Sequence, residues 1–94
     1  NKKKYPLFEK IKILKIGRHF RKKGKIVLGK NKFENEELIK INKNLGWKIF
    51  TPLNIPGPTV IYENLLDKDL ALKIQKAYIE KDDRLKKEFE KLRI

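Results

Sequence analysis

A small α+β domain is the fold this chain predicts: a mostly antiparallel sheet, elements in ββαββα order, with the helices packed on one face. Three observations predict it. Short stretches rich in β-branched and aromatic residues recur at 11–20, 26–28, 47–53 and 59–62. Two longer stretches, after Asn31 and after Asp67, keep apolar residues at helical spacing. Glycine, proline or asparagine stands at most of the boundaries between them. Ninety-four residues suffice for one domain with a modest core.

Residues 1–10 read as an extended lead-in, because Pro6 disfavours helix just before it. A first strand is expected over Ile11–Phe20, with a parity shift that places a bulge at Gly17. Lys22-Lys23-Gly24 supplies the turn, with Gly24 expected at positive φ, and Ile26-Val27-Leu28 the return strand. Asn31 is a good N-cap, and Glu34 three residues on completes a capping-box pattern. Leu38, Ile41 and Leu45 share one helical face, and Gly46 closes the helix. Trp47–Leu53 alternates as a third strand until Pro52, which cannot donate to a ladder. Pro56-Gly57-Pro58 is a rigid bend before a fourth strand, Thr59–Tyr62. Asn64 or Asp67 caps the last helical stretch. Asp82-Asp83-Arg84 is a potential break in it, and helical spacing continues to the chain end, with a strand as the alternative for the final eleven residues.

Charge is distributed unevenly. Residues 1–32 hold thirteen Lys/Arg and one acid, Glu9, whereas residues 33–94 hold twelve Lys/Arg and eleven acids. The first third therefore supplies +12 of the net +13, which points to a polyanion-binding surface. With no cysteine there is no disulfide framework, thiolate metal site or thiol nucleophile in this chain. No apolar run approaches the roughly 20 residues of a membrane span, and no signal-peptide pattern is present. A cytoplasmic protein without a membrane partner is the expectation. The chain opens on Asn1 rather than Met and reads as a single domain cut from a longer protein.

No residue set calls for catalysis or a cofactor. His19 is the sole histidine and has cations for neighbours, with no orienting carboxylate nearby in sequence. One histidine without cysteine does not furnish the usual metal ligands. Glu34, Glu36, Glu37, Asp67 and Asp69 fall at expected helix starts, where capping and macrodipole compensation explain them. The functional signal is the basic hairpin. Arg18, Arg21, Lys22, Lys23, Lys25, Lys30 and Lys32 surround its turn and the following helix start, where Asn31 leaves backbone N–H groups suited to a phosphate. His19, Phe20 and Tyr62 are the candidates to stack on an unpaired base if exposed, with Phe20 better suited to the core. The alternative is a protein-interaction module that docks a parent enzyme or an acidic partner through Tyr5, Phe8, Phe89 and Leu92.

The runs Ile16-Gly17-Arg18-His19-Phe20, Gly24–Asn31 and Asn35-Glu36 resemble the NFACT RNA-binding domain (NFACT-R), in the branch appended to tRNA thiouridine synthase-like proteins. Ile49-Phe50-Thr51, Gly57–Ile61 and the helix Ala71–Tyr78 are similar to later blocks of that family, so the resemblance spans about residues 14–80. It implies an RNA-binding accessory domain, without catalytic groups of its own, that presents tRNA to a tRNA-modifying sulfurtransferase carried in the same chain. It also implies roles for Gly29, Asn31 and Asn35 at the strand-to-helix junction and for Gly57 and Thr59 in the second loop. Pro56 stands where the ribosome-linked branch has histidine or aspartate, a departure that speaks against that branch's role.

Overall fold

The computed structural model describes residues 15–94; the lead-in at 1–10 and the strand positions 11–14 lie outside the described residues. Four short strands form one antiparallel sheet in the order β1-β2-β4-β3: β1 (Arg18–Arg21), β2 (Lys25–Leu28), β3 (Lys48–Phe50) and β4 (Val60–Tyr62). Helix α1 (Lys32–Leu45) follows β2; α2 (Lys68–Ile79) and α3 (Asp83–Phe89) follow β4. The ββαββα order and the α+β class are those expected, and the last helical stretch does break at Asp82, whose side chain caps α3 through Leu85 N–H. The final residues are helix and a short 3-10 turn, ending in a bridge between Arg93 and Phe20 that covers part of the outer edge of β1.

Two expected strands are shorter than the sequence indicated. The first opens only at Arg18, because Lys15 is helical and Gly17 reverses the chain at φ 80°, a left-handed conformation glycine takes at little cost. The third stops at Phe50, just short of Thr51 and the donor-less Pro52.

The expectation of helices on one face is corrected by the packing. Alternation along β2 and β4 sends Ile26, Leu28, Val60 and Tyr62 to one side, where they meet Ala71, Ile74 and Ala77 of α2 and Phe89 of α3. Val27 and Ile61 point the other way and meet Leu38, Ile41 and Leu45 of α1. The central strands are thus buried on both faces, which is why Ile26-Val27-Leu28 and Val60-Ile61-Tyr62 are unbroken apolar runs. Phe20 and Tyr62 are fully buried and so are not surface platforms for a base, and Phe50 stacks on Tyr62 with centroids 6.0 Å apart.

Side-chain amides tie the helices to the sheet. Asn42 of α1 exchanges two hydrogen bonds with the Trp47 backbone, at 2.8 and 3.1 Å, which fixes how the chain leaves Gly46 (φ 71°) and enters β3. Gln75 of α2 donates to the carbonyls of Phe50 and Pro58, each at 3.0 Å, holding both ends of the β3–β4 connection. Among the described residues no helix is long and apolar enough to cross a membrane.

Candidate nucleic-acid interface

The basic hairpin has two ends, and the fold gives them different surroundings. At the open end, the start of β1 and the β2-to-α1 junction border a cleft of about 550 Å³. Arg18, Lys30 and Lys32 line it together with Lys81 and Lys86 from beyond α2, and among the described residues no Asp or Glu lines it. The loop Ile55–Pro58 forms its far wall.

Tyr78 orients two of these cations. The Arg18 guanidinium lies 4.8 Å from its ring centroid and the Lys86 ammonium 4.9 Å, so one π system holds two positive groups in the same place. Lys86 has a loose ion pair with Asp83 at 4.0 Å, and Asp83 is almost fully exposed. Lys81 enters the lining from an unusual backbone: it sits at φ 54°, a conformation that costs a residue with a Cβ about 1–2 kcal/mol. The left-handed residue closes α2: Asp82 N–H donates to the Ala77 carbonyl at 2.9 Å across it.

The α1 N-terminus is built much as expected. Asn31 caps it by accepting from Glu34 N–H at 2.9 Å. Glu34 does not close the usual capping box; its Oε1 accepts instead from Lys30 N–H at 3.0 Å and Gly17 N–H at 3.1 Å. That one carboxylate therefore clamps the approach to β1 against the exit from β2.

The positions contributed by the family resemblance form an internal latch. Asn35 Oδ1 accepts from Thr59 N–H at 3.0 Å, and Asn35 Nδ2 donates to the Gly57 carbonyl at 3.3 Å. Thr59 is only 1% exposed, and its carbonyl accepts from Gly29 N–H. A Cβ on Gly29 would collide with the Asn35 amide oxygen, so glycine there gives Asn35 its room. Asn35 and Gly57 touch the cleft wall but their polar groups face each other; Thr59 lies beneath the surface. Their effect on the cleft is to set the distance between its two sides.

At the closed end stands the turn. Lys22 N–H donates to the Gly24 carbonyl at 3.1 Å, and Gly24 does not take the positive φ expected of it. Space is tight there, since a Cβ would meet Asn64 Cβ and Glu63 Oε1 at 3.1 Å each. Asp67, expected as a helix cap, makes no capping hydrogen bond. Its carboxylate, 1% exposed, accepts from Lys23 N–H at 3.1 Å and Gly24 N–H at 2.9 Å. Glu63 accepts from Lys25 N–H at 3.0 Å. Lys22, Lys23 and Lys25 therefore ride on a turn whose backbone is tied to two carboxylates, away from the cleft.

Of the residues singled out by the basic run and by the family resemblance, Arg18, Lys30, Asn31, Lys32, Asn35 and Gly57 line the cleft, and Arg21, Lys22, Lys23 and Lys25 do not. Tyr78, Lys81 and Lys86 were not singled out; the αL break ahead of Asp82 was the available signal for Lys81. His19 donates from Nε2 to the Ile16 carbonyl at 2.8 Å, which fixes its ring at the approach to β1. The interaction patch expected from Phe89 and Leu92 does not form, because Phe89 is buried and Leu92 packs against the same core; Tyr5 and Phe8 lie outside the described residues. Comparisons of the chain with protein-family models, curated proteins and solved structures gave no match.

Proposed function

We propose that this domain is an RNA-binding accessory module, with tRNA as its substrate and a thiouridine synthase-like enzyme as the activity it serves in the cytoplasm. One observation carries the proposal: among the described residues, five cationic side chains from three separate parts of the chain line a single cleft to which no carboxylate contributes. Charged surfaces that only confer solubility mix both signs; a one-sign cleft focuses potential on an anionic ligand. The tyrosine that holds Arg18 and Lys86 in place adds pre-organisation, which lowers the entropy lost when a phosphate is bound. The NFACT-R resemblance of the hairpin and second loop supplies the class of polyanion and the link to tRNA modification.

The test is a filter-binding titration with total tRNA and an equal mass of duplex DNA across a range of salt. Preferential retention of tRNA is expected, with log affinity falling linearly against log salt and each neutralised phosphate adding about 0.7–0.9 to the slope. Absence of retention, or affinity indifferent to salt, rejects the proposal.

A second proposal, docking to a parent enzyme or acidic protein, is favoured by Leu65 and Leu66. Both are exposed in the 3-10 turn that ends at Asp67, whose carboxylate accepts from Lys23 N–H of the hairpin turn. It predicts little affinity for tRNA and loss of docking when both leucines become serine.

A further inference from the structure

Glu34 stands where a polyanion site would do better without an acid. Lys32, two residues before it, and Asn35, just after it, line the cleft. A carboxylate so near adds repulsion against any phosphate that enters. An acid in the first turn does favour a helix, but an aspartate would serve that purpose as well. Nor is Glu34 needed as the cap, since Asn31 already accepts from Glu34 N–H. What these roles leave unexplained is the length of the side chain.

The ladder between β1 and β2 ends at the Arg18–Leu28 pair. Past it the Gly29 N–H turns to the Thr59 carbonyl at 3.0 Å, which ties the end of β2 to the segment entering β4. What joins the β1 and β2 ends next is one carboxylate oxygen. Glu34 Oε1 accepts from Gly17 N–H at 3.1 Å and from Lys30 N–H at 3.0 Å. Gly17 immediately precedes Arg18, and Lys30 is itself a cleft cation. Arg18 is thereby held twice, its backbone through Gly17 and its guanidinium by the Tyr78 ring.

We infer that Glu34 is a positioning residue of the cleft: its side chain fixes Arg18 and Lys30 relative to one another before an anion arrives, and touches no ligand itself. The site depends on the reach and the acceptor oxygen of Glu34, not on its charge. The inference rests on the RNA-binding proposal above and adds a residue through which that binding is prepared.

Two substitutions separate reach from charge. Glu34→Gln keeps the reach and the acceptor and drops the charge; Glu34→Asp keeps the charge and the helix-start preference and shortens the reach by one methylene. Asn42→Ala is the control for stability, since it removes two hydrogen bonds to the Trp47 backbone at the other end of α1. Isothermal titration calorimetry gives the affinity of each variant for tRNA and for inorganic polyphosphate, and a urea titration gives its stability. Glu34→Gln is expected to bind both anions within about twofold of the parent or more tightly, and Glu34→Asp at least about fivefold more weakly. Asn42→Ala is expected to lose stability and keep the parent's affinity. Aspartate at the parent's affinity, or glutamine as weak as aspartate, overturns the inference. So does a loss of affinity in Asn42→Ala that matches Glu34→Asp at equal loss of stability, because affinity then follows stability alone. A parent that shows this pattern with polyphosphate and does not bind tRNA keeps the positioning role and loses the RNA proposal; a parent that binds neither anion removes both.

Discussion

The two ends of the basic hairpin have similar sequences and different physics. At the turn, Asp67 holds the Lys23 and Gly24 amides and Glu63 holds the Lys25 amide, so two carboxylates stand against the backbone that carries Lys22, Lys23 and Lys25. At the open end, Arg18, Lys30 and Lys32 are joined by Lys81 and Lys86 around a cleft that, among the described residues, no acid lines. A strand of four residues separates the two groups, which at about 3.3 Å per residue exceeds the reach of a single phosphate. A run of lysines in sequence is therefore not yet a site. The cations converge where strand ends bring distant segments together, and the lysines of the turn lie outside that cluster.

Substitutions can break this contrast or sharpen it. The largest effect is expected at Asp67. Removing the carboxylate with Asp67→Ala leaves the Lys23 and Gly24 amides unpaired and should cost about 2–4 kcal/mol of stability by denaturant titration. Cleft affinity of the folded protein should stay the same; a matching loss of RNA affinity would mean the two ends act as one surface. Next comes Tyr78→Leu, which frees Arg18 and Lys86. Losing cation–π contacts worth about 0.5–2 kcal/mol should weaken RNA binding several-fold, and Tyr78→Phe should restore it. Lys81→Gly is expected to raise stability by about 1 kcal/mol, since glycine accepts the left-handed backbone, and to lower RNA affinity modestly. Opposite signs in the two measurements would identify Lys81 as retained for binding.

The smallest effect lies in the core. Burial, assisted by the nearby Asp69 carboxylate, raises the Tyr62 phenol above its usual value near 10. The folded state thus holds that proton more tightly than the unfolded chain, so its stability is full below about pH 10 and declines as pH rises from there. Tyr62→Phe should flatten that alkaline decline without changing stability at neutral pH by more than the hydroxyl's own contribution, as followed by thermal melts across pH.

Much of the fold was legible because local chemistry dictated it. Asn31 as cap, Gly46 as helix stop and the break before Asp83 each follow from what a single residue does to its own backbone. The two-sided packing was written in the unbroken apolar runs of β2 and β4, although a run of three residues does not by itself tell a doubly covered strand from a short buried helix segment. The candidate site was half legible. Arg18, Lys30 and Lys32 stood in a basic run, but Lys81 and Lys86 sit in a stretch of balanced charge, and only the packing of α2 and α3 over the sheet carries them to the cleft. Asp67 was misread for a related reason: a carboxylate ahead of a helix has the composition of a cap, and its real partners lie across the sheet in the hairpin turn.

The most direct measurement compares neutralisation at the two ends. Lys30, Lys32 and Lys86 are changed to glutamine in one variant, and Lys22, Lys23 and Lys25 in another, so that both lose the same charge. tRNA affinity is then titrated against salt for each. The cleft variant should lose about 100-fold or more in affinity and about 2–3 units of log–log slope, whereas the turn variant should lose less than about fivefold and less than about one unit. Equal losses, or a larger loss from the turn, would contradict the assignment of the RNA site to the cleft.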